Sequence, residues 1–122
     1  MLTVVDEPGV KVVEGHPDVP LLSRPDDAGR IIEACMSADT DAALLYPRNL
    51  TDAFFDLSSG HAGEILQKLR NYRVRLAVVC APGTVRFSSR FPEVLADERR
   101  GRYFSVFETR AEAVHWLAQH AA

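Results

Sequence analysis

The sequence predicts a single α/β domain, residues 1–122, built on one mixed β-sheet with the element order ββαβαβαβα. Short β-branched runs alternate along the chain with stretches in which apolar residues recur at helical spacing. The run RLAVVCA, residues 75–81, is typical of a strand that is covered on both faces of a parallel sheet. Helices that join successive strands favour parallel neighbours with right-handed crossovers.

The first half of the chain is predicted to contain a hairpin, a helix and a buried strand. The runs LTVV and VKVV are separated by DEPG, which predicts two antiparallel strands within residues 2–14. Three prolines within residues 15–25 predict an extended connector. The run AALLY, residues 42–46, predicts a strand that ends at Pro47. Residues 26–37 have the spacing of an amphipathic helix, whose predicted apolar face holds Ala28, Ile31, Ile32, Cys35 and Met36.

The second half is predicted to begin with a polar turn that opens directly into the central helix. The apolar face of that helix is predicted to hold Ala62, Ile65, Leu66, Leu69 and Tyr72. After the strand at 75–81, a helix of two or three turns is expected within residues 85–100, and a last strand at 103–107. In the final helix Thr109 is the expected N-cap, Glu112 completes a capping box, and Trp116 falls on the buried stripe.

Composition excludes several classes of protein. The hydrophobic fraction of 47% and charged fraction of 25% are those of a soluble globular domain. A net charge of -3 argues against a nucleic-acid partner. Cys35 and Cys80 lack metal-ligand spacing, so we expect two reduced core thiols, no metal and no cofactor. The absence of a long apolar run and of signal-peptide order predicts a cytoplasmic protein with no membrane partner.

The polar turn before the central helix is the candidate functional site. Its serines suit helix capping, and its glycines suit close approach of the backbone. A neutral His61 near the positive end of the helix could act as a general base, or could be a partly packed bystander. Glu64 could pair with Lys68 on the helix surface, or turn inward and anchor a ligand. The candidate residues are Asp56, Ser58, Ser59, Gly60, His61, Gly63 and Glu64.

The stretch FFDLSSGHAGEILQKLRNYRVRLAVV, residues 54–79, resembles almost residue for residue the core of a bacterial family known as domain of unknown function 4180. The run DERRG and residues 105–117 resemble the tail of that family more loosely. The chain departs from the family at residues 80–82, which are Cys, Ala and Pro in place of Gly, Asp and Phe, and at residues 97–99. The resemblance names no reaction.

A more distant resemblance is to STAS-like domains, the fold of bacterial anti-sigma-factor antagonists. The opening hairpin, the DLSSG turn at residues 56–60 and the run TRAEAVHWL at residues 109–117 are similar to elements of that fold, although Leu57 separates the aspartate from the serines. In the antagonists a partner kinase phosphorylates the serine of this turn. The resemblance therefore implies phosphorylation of Ser58 or Ser59, whereas residue type alone is explained by helix capping.

Two hypotheses about function follow. The favoured one is a non-enzymatic regulatory or protein-interaction module, whose turn binds a protein partner such as a kinase or an anti-sigma-like factor. The alternative is a small-molecule-binding protein or small enzyme with a pocket near Asp56, His61 and Glu64. A deep polar pocket would favour the second hypothesis, and an outward-facing turn the first. Either is compatible with a homodimer through an apolar helix face or a sheet edge.

Overall fold

A computed structural model describes residues 2–22, 24–50, 60–81 and 103–119, and these ranges contain one five-stranded mixed sheet. The sheet order is β1-β2-β3-β4-β5; β1 and β2 form the predicted antiparallel hairpin, and β2 to β5 are parallel. The predicted α/β class is therefore confirmed. The helix expected within 85–100 lies outside the described residues. The strands are β1 (Leu2–Glu7), β2 (Val10–Gly15), β3 (Ala42–Leu45), β4 (Arg75–Val79) and β5 (Phe104–Phe107).

In the described residues, three α-helices cover the two faces of the sheet. They are α1 (Ala28–Ala38), α2 (His61–Asn71) and α3 (Arg110–Gln119), and 3-10 turns at Pro25–Asp27 and Pro47–Asn49 precede α1 and follow β3. Helices α1 and α2 share one core with inward side chains of the strands, and α3 packs in a second core on the other face. None of the helices in the described ranges is long and apolar enough to cross a membrane.

Strand β3 shows why the apolar runs are continuous. Ala43 and Leu45 belong to the core beneath α1 and α2, and Ala42 and Leu44 belong to the core beneath α3. Successive side chains of a strand point to opposite faces, so a strand between two helical layers needs apolar residues at every position. All four residues of β3 are accordingly buried.

Two residues that were predicted on buried helix faces are instead exposed. Met36 is 68% exposed and Tyr72 is 63% exposed. Met36 lies in the last turn of α1, and Tyr72 follows the last residue of α2. Helical spacing predicts which face of a helix a residue lies on. It does not predict whether the end of the helix, where these two residues lie, still covers the sheet. The predicted core residue Trp116 is half-buried and packs on Phe107, with the ring centroids 5.6 Å apart.

A fully buried asparagine joins the connector after β2 to the turn after β3. The Asn49 side-chain amide donates hydrogen bonds to the carbonyls of His16 and Val19 at 2.6 and 2.8 Å, and its Oδ1 accepts one from the Tyr46 amide at 2.7 Å. Gly15 permits this contact, because a Cβ there would lie 2.6 Å from Asn49 Oδ1. The carboxyl ends of β2 and β3 are thereby fixed relative to one another.

Candidate functional site

The predicted site lies at the first turn of α2, and the structure describes its helical half. Gly60, His61, Gly63 and Glu64 are within the described residues, whereas Asp56, Ser58 and Ser59 lie outside them. Helix α2 connects β3 to β4, so its first turn lies at the carboxyl end of the parallel strands. In open α/β sheets this is the edge at which ligands and partners are most often bound.

Helix α2 begins on a glycine and not on a serine. Gly60 is the N-cap, with φ +77° and ψ -5°, and its carbonyl accepts the first helical hydrogen bond from the Glu64 amide at 3.1 Å. The positive φ is the reason for glycine at this position. Because glycine has no side chain, the N-cap residue supplies no side-chain acceptor to the first-turn amides. The N-cap position of α2 is therefore not occupied by a serine.

The outer side of this first turn is open. Gly60, Gly63 and Glu64 are exposed, and apart from the adjacent residues and the helix backbone no described heavy atom lies within 4 Å of a Cβ built on either glycine. The predicted close approach of another backbone segment is thus not seen among the described residues, and it stays a prediction. Among the described residues, the side chain of Lys68 pairs with Asp26 at 2.8 Å, in place of the predicted pair with Glu64.

The inner side of the same helix is fixed to the core. Ala62, Ile65, Leu66 and Leu69 are buried against the sheet and α1, as predicted from their spacing. His61 lies between the two sides: it is half-buried, and its Nδ1 atom is shielded from solvent. The first turn of α2 is therefore a rigidly supported surface with accessible backbone, in which amides at the positive end of the helix dipole could contact an anionic group.

A second polar cluster lies on the α3 face of the sheet and was not predicted. The guanidinium of Arg110 binds Glu14 through two hydrogen bonds, with Nη2 2.8 Å from Oε1 and Nε 3.0 Å from Oε2, and also lies 2.7 Å from Glu7 Oε1. The Tyr46 hydroxyl donates to Glu14 Oε2. Glu14 and Arg110 are 96 residues apart in the chain, so no spacing in the sequence indicates that they meet.

These contacts lower the pKa of Glu14 and raise the pKa of Tyr46. The hydrogen bond from Arg110 is the main cause that holds the pKa of Glu14 below its usual value, and burial opposes it. Burial, followed by the hydrogen bond to Glu14, raises the pKa of Tyr46 to about 12. Both oxygens of the Glu14 carboxylate accept hydrogen bonds, so this cluster ties the hairpin to the start of α3.

The opposite end of the sheet contains a cavity of about 500 Å³. It is lined by the hairpin turn and by the ends of α1 and α2, and neither His61 nor Glu64 lines it. Within the described ranges, His, Cys, Asp and Glu side chains do not form a group of three or more that could hold a metal ion. Both cysteines are buried thiols, as predicted.

Comparison with known proteins gives a family for the chain but no activity. Neither a curated protein nor a solved structure matches it. The matching family is described as Domain of unknown function (DUF4180), and the match runs over residues 7–117, which includes all three helices up to Leu117 and the described part of the candidate site. The chain therefore belongs to the DUF4180 family.

Proposed function

We propose that the chain is a non-enzymatic regulatory module that binds a protein partner through the first turn of α2. The observation that carries this proposal is the exposure of Gly60, Gly63 and Glu64 on a helix whose other side is buried in the core. An open, rigid turn suits docking against another protein, because little conformational freedom is lost on binding. The residues just before it, Asp56, Ser58 and Ser59, would extend the same surface.

The topology supports the same class of function. The strand order runs from β1 to β5 without a reversal, so the described sheet has no topological switch point, which is where α/β enzymes most often place a ligand crevice. The opening hairpin followed by parallel strands, with α1 and α2 on one face, is also the arrangement expected of an STAS-like domain. That likeness favours a kinase or an anti-sigma-like factor in the bacterial cytoplasm as the partner.

Phosphorylation of Ser58 or Ser59 would regulate the proposed contact. A phosphate adds nearly two negative charges next to a helix N-terminus. Because Gly60 is the N-cap, both serines precede the helix, and neither hydroxyl is needed at the N-cap position itself. Such a modification would change the charge of the docking surface without removing the cap residue.

A small-molecule site at the same turn is the second candidate function. It is supported by His61, which is half-buried at the helix start with a shielded Nδ1 atom. With Asp56 and Glu64 it would form a polar pocket. This candidate predicts that a His61→Gln variant loses ligand binding while it keeps every protein partner, which is the reverse of the outcome expected for a docking surface.

Two glycines make a matched test of the docking proposal. Gly63 on α2 and Gly29 on α1 are both exposed, and apart from the adjacent residues and the helix backbone no described atom lies within 4 Å of a Cβ at either position. Gly63→Gln and Gly29→Gln should therefore both fold, each with a small gain in stability from the removal of a helical glycine. In quantitative pull-downs from the native host, proteins retained by wild type and by Gly29→Gln should be lost with Gly63→Gln. Equal retention by both variants would refute the proposal.

A further inference from the structure

The cavity at the amino ends of the parallel strands is large enough for a small molecule. Its volume of about 500 Å³ falls in the usual range for small-molecule pockets. In the described ranges, three separate parts of the chain line it: the hairpin turn with Lys11, Cys35 of α1 with the residues 39–41 that follow this helix, and Tyr72 with Arg73 after α2. It lies at the opposite end of α2 from the proposed docking surface, and the two assignments are independent.

The walls of the cavity are fixed by hydrogen bonds within the fold. The Thr40 hydroxyl donates to the Lys11 carbonyl at 2.6 Å, and the Lys11 ammonium donates to the Ala38 carbonyl at 3.3 Å. Asp41 is held by two hydrogen bonds from Arg75. A ligand would therefore enter a preformed site, which lowers the entropic cost of binding.

Two residues in an unfavourable backbone conformation line this cavity. Asp39 and Arg73 both have φ +57°, and they are the non-glycine residues with positive φ in the described ranges. Each follows a helix end closed by a Schellman-type bond, from Thr40 N–H to Cys35 O and from Val74 N–H to Leu69 O. Glycine is the usual residue at such positions, because it adopts this conformation without strain. The geometry of the helix ends thus gives no reason for an aspartate at position 39 or an arginine at position 73.

The groups around the cavity carry charges of both signs. Asp39 and Arg73 are exposed, and within the described ranges neither charged group has a hydrogen bond or an ion pair. The carbonyl ends of α1 and α2 add partial negative charge. Tyr72, with 63% of its surface exposed, supplies an aromatic rim. Burial raises the pKa of Cys35 to about 12, so this thiol is a neutral part of the wall and not a nucleophile.

We propose that this cavity binds a small zwitterion of the amino-acid or dipeptide class. The ligand ammonium lies at the Asp39 carboxylate and the end of α1, the ligand carboxylate lies at the Arg73 guanidinium, and Tyr72 covers the apolar part of the ligand. An entirely cationic ligand would meet Arg73, and an entirely anionic ligand would meet Asp39, so each would lack one of the two charge pairs.

Calorimetric titration of the full chain with four probes tests the charge requirement. The probes are leucine, alanyl-leucine, N-acetyl-leucine, which lacks the ammonium, and leucine amide, which lacks the carboxylate. At least one zwitterion should bind about ten-fold or more tightly than either blocked form, since a lost charge-assisted hydrogen bond costs at least that factor. Equal affinity for a zwitterion and a blocked form, or no binding of either zwitterion, would overturn the proposal.

Glycine substitutions separate the roles of the two charges without harming the fold. Asp39→Gly should abolish the preference for the bound zwitterion over N-acetyl-leucine, and Arg73→Gly should abolish its preference over leucine amide. Both variants keep the positive φ with a residue that tolerates it. Arg30→Gln, on the exposed side of α1, is the control and should bind as wild type. Wild-type selectivity in both glycine variants would contradict the assignment.

Discussion

Arg75 and Asp41 form an ion pair through two hydrogen bonds at the amino ends of neighbouring parallel strands, with Nη2 2.7 Å from Oδ1 and Nε 3.2 Å from Oδ2. The Arg75 side chain is 5% exposed and that of Asp41 is 32% exposed. The third contact of the guanidinium, from Nη1 to the Leu117 carbonyl at 2.8 Å, lies near the end of α3. One buried cation thus joins β4, the residue before β3 and the end of α3.

The unequal exposure of the two partners predicts an unequal cost of removing them. Asp41→Ala leaves a buried guanidinium without its counter-ion and should lower the free energy of unfolding by about 3–5 kcal/mol. Arg75→Met leaves a carboxylate that already reaches water and an unpaired Leu117 carbonyl, and should cost about 2 kcal/mol. Urea denaturation measures both values. A larger loss for Arg75→Met than for Asp41→Ala would contradict this account.

The cluster around Glu14 predicts acid sensitivity with a defined sign. The pKa of Glu14 is lowered in the folded state, chiefly by the hydrogen bond from Arg110, from a usual value of 4.5. A depressed folded pKa contributes stability above the unfolded pKa, and that contribution is lost as the pH falls through the folded pKa. Glu14→Gln should therefore be less stable than wild type at pH 7, and the difference should shrink below about pH 4.5.

Urea denaturation of both proteins between pH 7 and pH 3 measures this difference. Glu33→Gln, on the exposed side of α1, is the control for general charge effects. A Glu14→Gln penalty that stays constant down to pH 3 would mean that the charge of the Glu14 carboxylate contributes nothing to the stability of the fold.

Gly15 and Gly29 should respond in opposite directions to the same substitution. A Cβ at Gly15 would lie 2.6 Å from Asn49 Oδ1 and 2.9 Å from Leu45 Cδ2, so Gly15→Ala should cost about 1–3 kcal/mol through overpacking. Gly29 is an exposed helical position where a Cβ would meet no described atom beyond the adjacent residues and the helix backbone, so alanine should add about 0.5–1 kcal/mol. Thermal unfolding of the two variants tests this. A neutral Gly15→Ala would show that Asn49 moves freely.

The positive φ of Asp39 and Arg73 also predicts how glycine substitutions at these positions change the stability of the fold. A left-handed backbone conformation costs a non-glycine residue about 1 kcal/mol or more. Glycine removes this cost, but the greater entropy that it gives to the unfolded chain offsets part of the gain. Arg73→Gly should therefore stabilise the fold by about 0.5 kcal/mol, and Asp39→Gly by less, because aspartate tolerates this conformation better than arginine does. The denaturant midpoints of the two variants show which substitution stabilises the fold more. A loss of stability in Arg73→Gly would show that the guanidinium supports the fold.

The order of elements could be predicted because it depends on local patterns. The spacing of Ile65, Leu66 and Leu69 indicates a helix wherever it occurs, and the runs around β3 and β4 indicate strands covered on both faces. The capping residue Thr109 was predicted for the same reason, and its Oγ1 accepts a hydrogen bond from the Glu112 amide at 3.3 Å. These features need only neighbours that are close in the chain.

The polar contacts could not be predicted, because they depend on strand register and on the path of the chain in space. Arg75 lies opposite Ala42 in the parallel ladder, which brings it to Asp41 from 34 residues away. Nothing in the run RLAVV distinguishes this buried arginine from a solvated one at the start of a strand. For the same reason the pair Glu14–Arg110 and the buried Asn49 were missed, although an asparagine that follows Pro47 is a local signal for a turn.

The central claim is that the first turn of α2 is a docking surface, and hydrogen exchange of the chain with and without its captured partner tests it most directly. When the partner is bound, amide exchange should be slower in peptides that cover residues 60–66 and unchanged in peptides from α1, residues 28–38. Protection confined to α1, or to the hairpin at residues 2–15, with none at the start of α2, would contradict it.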